Sequence, residues 1–472
     1  MTSAETSVSP AVSPVMPSVL VPGKRLESLD ALRGLTIAAM LLVNNPGSWS
    51  YIYWPLEHAA WNGWTLTDLV FPFFLFMVGV AMMFSFPKRL AQGTSRAELF
   101  THVVRRAAAL MLLGYWGSTW SRVVWTGLDA LTFEAVLLRI GFVAAMTGAI
   151  VLLAGTEFRI RWWSIFLGGI VLFVVGVTWA GLSDPLVTRI LGLRIPGVLV
   201  RIAWCYVLAS AIYFLTPSPK AIMKWTLGLL AFYALFMQVI PIPGFGMPDL
   251  SRSFPTADTP LNELFSNWAF FIDYHVLGTH TWSVRQLTDA TGQLIWSFDP
   301  EGIISTISAT CSVLLGILAG QWLQQKTADE PRKLNGLFVA SGWLMGLGLI
   351  LSIWVPINKR IWTSSYTLFT AGMALFVLGV LFHAIDMKGM KKWAYPLVAY
   401  GRNAIFAFVA SGMMATALGL IRVSEGVSLK AFLYDVMPGS PEMASFLFGI
   451  LFVSLWAGIA ILLDRNKIYF KV

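Results

Sequence analysis

Twelve apolar stretches, each close to the length needed to cross a bilayer as a helix, constrain this chain more than anything else in it. A spanning helix takes about 20 such residues. The stretches cover 30–46, 66–86, 106–121, 133–154, 162–181, 196–216, 225–243, 302–322, 335–355, 363–385, 395–418 and 443–463. The first and third are short or carry charges, so ten to twelve crossings are expected. The alternating pattern of a membrane barrel is absent. Only 12% of the 472 residues are charged and 57% are hydrophobic, whereas soluble domains carry about 25% charge. The expected fold is an all-α polytopic integral membrane protein, a bundle of 10–12 transmembrane helices.

The net charge of +9 reports orientation rather than a nucleic-acid partner. With residues 1–24 placed in the cytoplasm as a Ser- and Pro-rich disordered tail, the cytoplasmic segments hold 22 of the 33 Lys and Arg residues. The opposite side holds nine, and Arg139 and Arg201 fall within spans. This asymmetry follows the positive-inside rule and puts both termini in the cytoplasm. Cys205 and Cys311 both lie within spans, so no disulfide framework or metal cluster is expected.

Residues 25–472 read as one membrane domain whose connections are mostly short. The exception is the segment 244–301, rich in aromatic residues and expected to fold as an ordered loop over the outer face. The runs "EAVLLRIGFVAAMTGAI" and "PGVLVRIAWCYVLASAI" echo one another with Arg139 and Arg201 in register. No inverted repeat of the kind on which many transporters are built is visible.

Polar groups at the membrane boundary are the best pointers to function. In "LEHAAWNGWTLTDLVFP", His58 is followed within ten residues by Asn62 and Asp68. Imidazole titrates near neutrality and suits general-base or nucleophilic work; a satisfied structural histidine is the plainer reading. Asn44, before Pro46, reads either as a helix-end cap or as a group that orients a substrate. Asp273, His275 and His280, then Asp299 and Glu301, then Asn358, Lys359 and Arg360 fall on the same side as His58. A single outward-facing polar pocket accounts for them together. On the cytoplasmic side, Asp30 and Arg33 share one helix face, either as a local ion pair or with Arg33 meeting a phosphate. No Walker loop, dinucleotide fingerprint, Gly-x-Ser-x-Gly elbow or HExxH motif is present.

Taken together, "RLESLDALRGLTIAAMLLVN", "HAAWNGWTLTDLVFPFFLFMVG", "IPGVLVRIAWCY", "FDPEGIISTISATCSVLLGILAG", "PINKRIWTSSYTLFTAG" and "YGRNAIFAFV" resemble the heparan-α-glucosaminide N-acetyltransferase family, in its bacterial NagX-type branch. The resemblance runs from residue 25 to the end. It implies a transmembrane N-acetyltransferase of the bacterial inner membrane that moves acetyl from cytoplasmic acetyl-CoA to the amine of a glucosamine-type sugar outside. It makes His58, Asn44 and Asp68 catalytic: His58 as base or acetyl carrier, Asn44 as oxyanion donor, Asp68 orienting the imidazole. Asn62, Asp273, His280, Asp299, Glu301, Asn358 and Lys359 are expected to bind the sugar, and Arg33, Arg201, Arg402 and Asn403 to bind acetyl-CoA. The expected partners are the amino-sugar acceptor, membrane lipid and a second copy of the chain in a homodimer, with neither nucleic acid nor metal. By this resemblance, a large N-terminal domain of the lysosomal member is expected to have no counterpart here, and the spans from 133 to 190 to be additional. An inner-membrane carrier of N-acetylglucosamine, and an acyltransferase acting on envelope glycans, remain as alternatives.

Overall fold

The first apolar stretch folds as α1 (Glu27–Asn44) and the second as α2 (Leu66–Ala91). The computed structural model describes residues 26–120, 132–154, 159–182, 184, 187, 190 and 192–470, so the tail 1–24 lies outside the described residues. There follow α3 (Arg96–Trp120), α4 (Phe133–Ala154), α5 (Arg159–Ala180), α6 (Val198–Leu215) and α7 (Pro219–Val239). A short helix α8 (Trp268–Leu277) precedes α9 (Ser305–Leu323), α10 (Glu330–Leu351) and α11 (Ser364–Leu381). The chain ends with α12 (Tyr395–Arg402), α13 (Ala404–Leu420), α14 (Leu429–Asp435) and α15 (Pro441–Arg465).

Among the described residues, nine helices are long and apolar enough to cross a membrane, or ten if α12 and α13, bent by 85° at Asn403, form one span. The protein is therefore an all-α integral membrane protein. Helices α1 and α3 fall outside that count and carry the charges noted in the sequence, Asp30 and Arg33 on one and Arg105 and Arg106 on the other. Helices α4 and α5 pair with each other and reach the rest of the bundle through α3. Their outward side chains, Val171, Val174 and Trp179 among them, are exposed and suit lipid.

The bundle has two distinct ends. At one, here the loop face, the segment 45–65 meets the loop before α11 through Asn358 and Asn62, and Arg194 meets Asp299. At the other, the basic face, Asp386 receives the backbone N–H groups of Glu27 and Ser28 at the start of α1. Gln324 there donates to the carbonyl of Met83 near the end of α2. The segment 244–301 folds around a cluster of aromatic side chains. Trp61 reaches into it to join Phe254, Phe270, Trp296 and Phe298, and its indole N–H donates to the carbonyl of Leu250. A hairpin of β1 (Gln286–Thr288) and β2 (Leu294–Ser297) closes the unit; a second small hairpin, β3 (Arg422–Ser424) with β4 (Val427–Ser428), precedes α14.

Two helix crossings set the centre of the bundle, and each rests on a reciprocal pair of glycines. A Cβ at Gly79 of α2 would meet the carbonyl of Val313 at 2.0 Å, and one at Gly316 of α9 would meet that of Phe76 at 2.0 Å. Between α1 and α12, Gly34 faces the carbonyl of Leu397 and Gly401 that of Asp30 in the same manner. Small residues let helix backbones approach closely where lipid provides no hydrophobic drive for association. Gly316→Val is expected to destabilise the fold by about 1–3 kcal/mol or more, since a backbone carbonyl cannot rotate away. Heating in detergent followed by size-exclusion chromatography should show the loss. Gly342→Val, where a Cβ meets nothing within 4 Å, should leave the profile unchanged.

Candidate active site

Helix α2 starts with a capping box: the Thr65 N–H donates to Oδ2 of Asp68 at 3.1 Å, while the Thr65 hydroxyl donates to the carbonyl of Glu57 at 2.5 Å. The same carboxylate folds the preceding loop back, taking the Ala59 N–H on Oδ2 at 3.0 Å and His58 Nδ1 on Oδ1 at 2.7 Å. An ionised carboxylate is acceptor-only, so the proton in that short contact sits on Nδ1, and Nε2 keeps its lone pair. Asp68 is 1% exposed and His58 33%, so the carboxylate is walled in while the ring edge stays accessible.

Lys359 completes the group. Its Nζ lies 3.0 Å from Nδ1 and 3.4 Å from Nε2 of His58, and 3.5 Å from Oδ1 of Asp68. It lies within hydrogen-bonding distance of both ring nitrogens. Asn358 delivers it: Oδ1 accepts the Ile361 N–H, its carbonyl accepts the Thr363 N–H, and Nδ2 donates to Oδ1 of Asn62. That turn holds Trp362 at φ 51°, a left-handed conformation that costs about 1–2 kcal/mol for a non-glycine residue. Burial holds the His58 pKa below its usual 6.5, and the nearby cations Lys359 and Arg360 push it the same way against the pull of Asp68. Burial lowers the Lys359 amine to about 8, opposed by the charges of Asp68 and Glu301.

Beside this group lies a denser one. The Arg194 guanidinium donates to both oxygens of Asp299, at 2.7 and 2.6 Å, and also binds Glu301. Arg194, Arg201 and Lys359 together outweigh burial and keep the Glu301 carboxyl below its usual range. Asp273 is fully buried and accepts the backbone N–H groups of Asp299 and Ile303, so it shapes the acidic loop from behind. Burial raises its carboxyl to about 7. His280 donates from Nδ1 to the carbonyl of Leu193 and accepts the Ile195 N–H on its own carbonyl, clamping the strand of chain that carries Arg194.

The candidate residues thus divide. His58, Asn62, Asp68, Asn358 and Lys359 form one contiguous set, joined by charge to Glu301. Asp273 and His280 build the loop around Asp299. Asn44 is exposed at the end of α1, and its side chain makes no hydrogen bond among the described residues. Exposed His275 packs on Phe271. Arg201, expected to bind acetyl-CoA, instead donates to the Gly302 carbonyl and the Ser305 hydroxyl on the loop-face side, over the ring of Trp362.

At the basic face a cavity of about 390 Å³ opens between α1, α2, α3, α6 and α13, and Arg33, Arg89, Arg106 and Arg402 line it. Arg402 is also paired with Asp464, while its Nε has no hydrogen-bond partner among the described residues. Asn403 does not line the cavity. Its side chain grips the C-terminal segment at the Ile468 carbonyl and the Phe470 N–H, and Phe470, stacked on Phe406, forms part of the wall. A second cavity of about 350 Å³, lined by Arg194, Tyr115, Phe408 and Thr416, shares Leu199 with the first. Sequence reasoning missed Arg89, Arg106 and Arg194 as site residues. The first two were visible only as charges near the ends of spans.

Residues 25–198 match the family model described as heparan-alpha-glucosaminide N-acetyltransferase, catalytic. The mouse heparan-alpha-glucosaminide N-acetyltransferase is 24% identical over 477 residues, covering 95% of this chain and 60% of the mouse protein. The human protein of the same name is 24% identical over 487 residues, with the same shares of each chain. The chain thus spans about 60% of the length of the curated relatives it matches.

Removing a cation from beside an imidazole makes its protonation easier. In Lys359→Met the His58 pKa should rise from below 6.5 toward or past that value, as followed by NMR of ring-labelled histidine. An unmoved titration would contradict the contact.

Proposed function

We propose that the chain is a member of the heparan-alpha-glucosaminide N-acetyltransferase family, whose catalytic model matches residues 25–198, and that it is a transmembrane N-acetyltransferase carrying acetyl from acetyl-CoA to a glucosamine-type amine. In this reading the basic face is cytoplasmic, as the Lys and Arg asymmetry favours, and the membrane is the bacterial inner membrane. The observation that carries the proposal is the His58–Asp68 pair. The carboxylate holds Nδ1, leaving Nε2 to act, at the end of the bundle opposite an arginine-lined cavity.

The donor's phosphates fit that cavity. Arginine forks match phosphate geometry and stay charged, and Arg33, Arg89, Arg106 and Arg402 converge there. Acetyl-CoA supplies an activated acyl group on a long arm, and the cavity lined by the arginines extends along α6 as far as Leu199, near the start of that helix. Arg201 and Asn403 have structural roles in this scheme. Arg201 steadies the Gly302–Ser305 turn, and Asn403 places Phe470.

At the loop face only a neutral amine attacks a thioester. His58 Nε2 takes the proton from the incoming ammonium, and Asp68 stabilises the imidazolium that forms. If acetyl rests on His58 first, the same nitrogen carries it. Asn44, whose amide is unused, is the candidate donor to the developing oxyanion. Asn62 and Glu301, at the rim of the set, are placed to receive sugar hydroxyls and the amine.

Purified protein given acetyl-CoA and glucosamine should release the CoA thiol and form the acetamide. Folded protein that releases none would refute the proposal, and sugar uptake into CoA-free liposomes would favour a carrier instead. His58→Ala should lower turnover by about 10²–10⁴-fold, the usual scale for a lost general base. Because burial and the neighbouring cations depress the His58 pKa, the acid limb of the pH–rate profile should lie below 6.5. A limb at or above 6.5 that His58→Ala leaves in place would exclude His58 as the base.

A further inference from the structure

A second amine already stands at the place the acceptor amine must reach. Lys359 Nζ lies 3.4 Å from Nε2 of His58 and its side chain is only 16% exposed. The turn that delivers it is locked by the side-chain and backbone hydrogen bonds of Asn358, so the amine is held there rather than sampling solvent. An acyl carbon brought to Nε2, on a thioester or on the imidazole itself, therefore comes into van der Waals contact with Nζ.

We propose that Lys359 is itself an acetyl acceptor: with acetyl-CoA present and no sugar bound, the acetyl group passes to Nζ and the acetyl-lysine closes the site. This inference rests on the acetyltransferase reading above. The groups facing Nζ are Asp68, His58, Glu301 and Arg360. With its pKa lowered to about 8, about half of the amine is neutral at pH 8 and carries a lone pair.

The step balances without any further reagent. The ammonium first loses one proton to solvent. The Nζ lone pair attacks the thioester carbonyl carbon, the C–N bond forms, and the C–S bond breaks with its electron pair going to sulfur. A second Nζ proton passes to Nε2 of His58 and from there to the thiolate, giving an amide and the CoA thiol. If acetyl sits first on Nε2, that nitrogen is the leaving group and recovers its lone pair. The product amide is uncharged, so the cation between Asp68 and Glu301 is lost and an acyl group fills the space beside His58. A bound sugar amine competes for the same carbon and protects the lysine.

The test uses the full chain in detergent at pH 8 with isotopically labelled acetyl-CoA, with and without glucosamine, followed by peptide mass spectrometry. A gain of about 42 Da on Lys359 is expected without the sugar and should be suppressed with it. Occupancy should exceed that of exposed Lys391 by at least about tenfold, since proximity and not bulk reactivity drives the reaction. Turnover measured after preincubation should fall in step with occupancy. Lys359→Arg, at whatever rate it starts, should show no such decline, and His58→Ala should acetylate more slowly. The proposal is overturned if Lys359 stays unmodified, or is modified no more than Lys391, in preparations that do acetylate glucosamine. If glucosamine is not acetylated either, the acetyltransferase reading falls with it.

Discussion

The arrangement around His58 at the loop face depends on one buried carboxylate. Asp68 caps the helix that carries it, anchors the backbone at Ala59 and Thr65, and fixes the tautomer of His58. A carboxylate at 1% exposure is tolerable only because its oxygens are filled with donors. Its main-chain carbonyl also receives the Tyr366 hydroxyl, which fastens the start of α2 to α11. The loop, the imidazole and the helix end therefore form one unit, and a change at Asp68 would release all of them together.

The same helix ties the two ends of the bundle. Helix α2 begins at Asp68's capping box and ends beside Arg89 in the basic cavity. At about 1.5 Å per residue those two positions stand about 31 Å apart, close to the thickness of a bilayer core. Helix α1 does likewise, with Arg33 toward the basic face and Asn44 at the loop face. Both are held to their neighbours by glycine crossings that allow little sliding. The distance between the two sites is thus a property of rigid helices. Any chemistry joining them must be bridged by a ligand running through the space the cavities provide.

What the sequence made legible was local or periodic. The spans followed from run length, and the match between stretch 66–86 and Leu66–Ala91 is close because a long apolar run leaves no other option. The pairing of His58 with Asp68 was implied by the family resemblance, because the ten-residue spacing by itself left a structural histidine as the plainer reading. The aromatic residues of 244–301 pointed to a folded loop, and Phe254, Phe270, Trp296 and Phe298 pack together with Trp61. Pairings distant in sequence were not legible. Arg194 and Asp299 stand 105 residues apart, and no spacing rule joins them. Arg201 lies on an apolar helix that also lines both cavities through Leu199, so only its rotation about the helix axis directs it to Ser305 instead. Asn403 looked like a polar group for a ligand, yet it serves the backbone of residues 468–470.

The central claim is that an acyl donor held by the arginines of one face serves an amine at the other. Proteoliposomes with the protein in a single known orientation test it most directly, with acetyl-CoA supplied only to the basic face and glucosamine only to the loop face. The account predicts that N-acetylglucosamine accumulates on the loop-face side while CoA thiol appears on the other, with no sugar crossing. Product that forms only when both substrates are on the same side would contradict it.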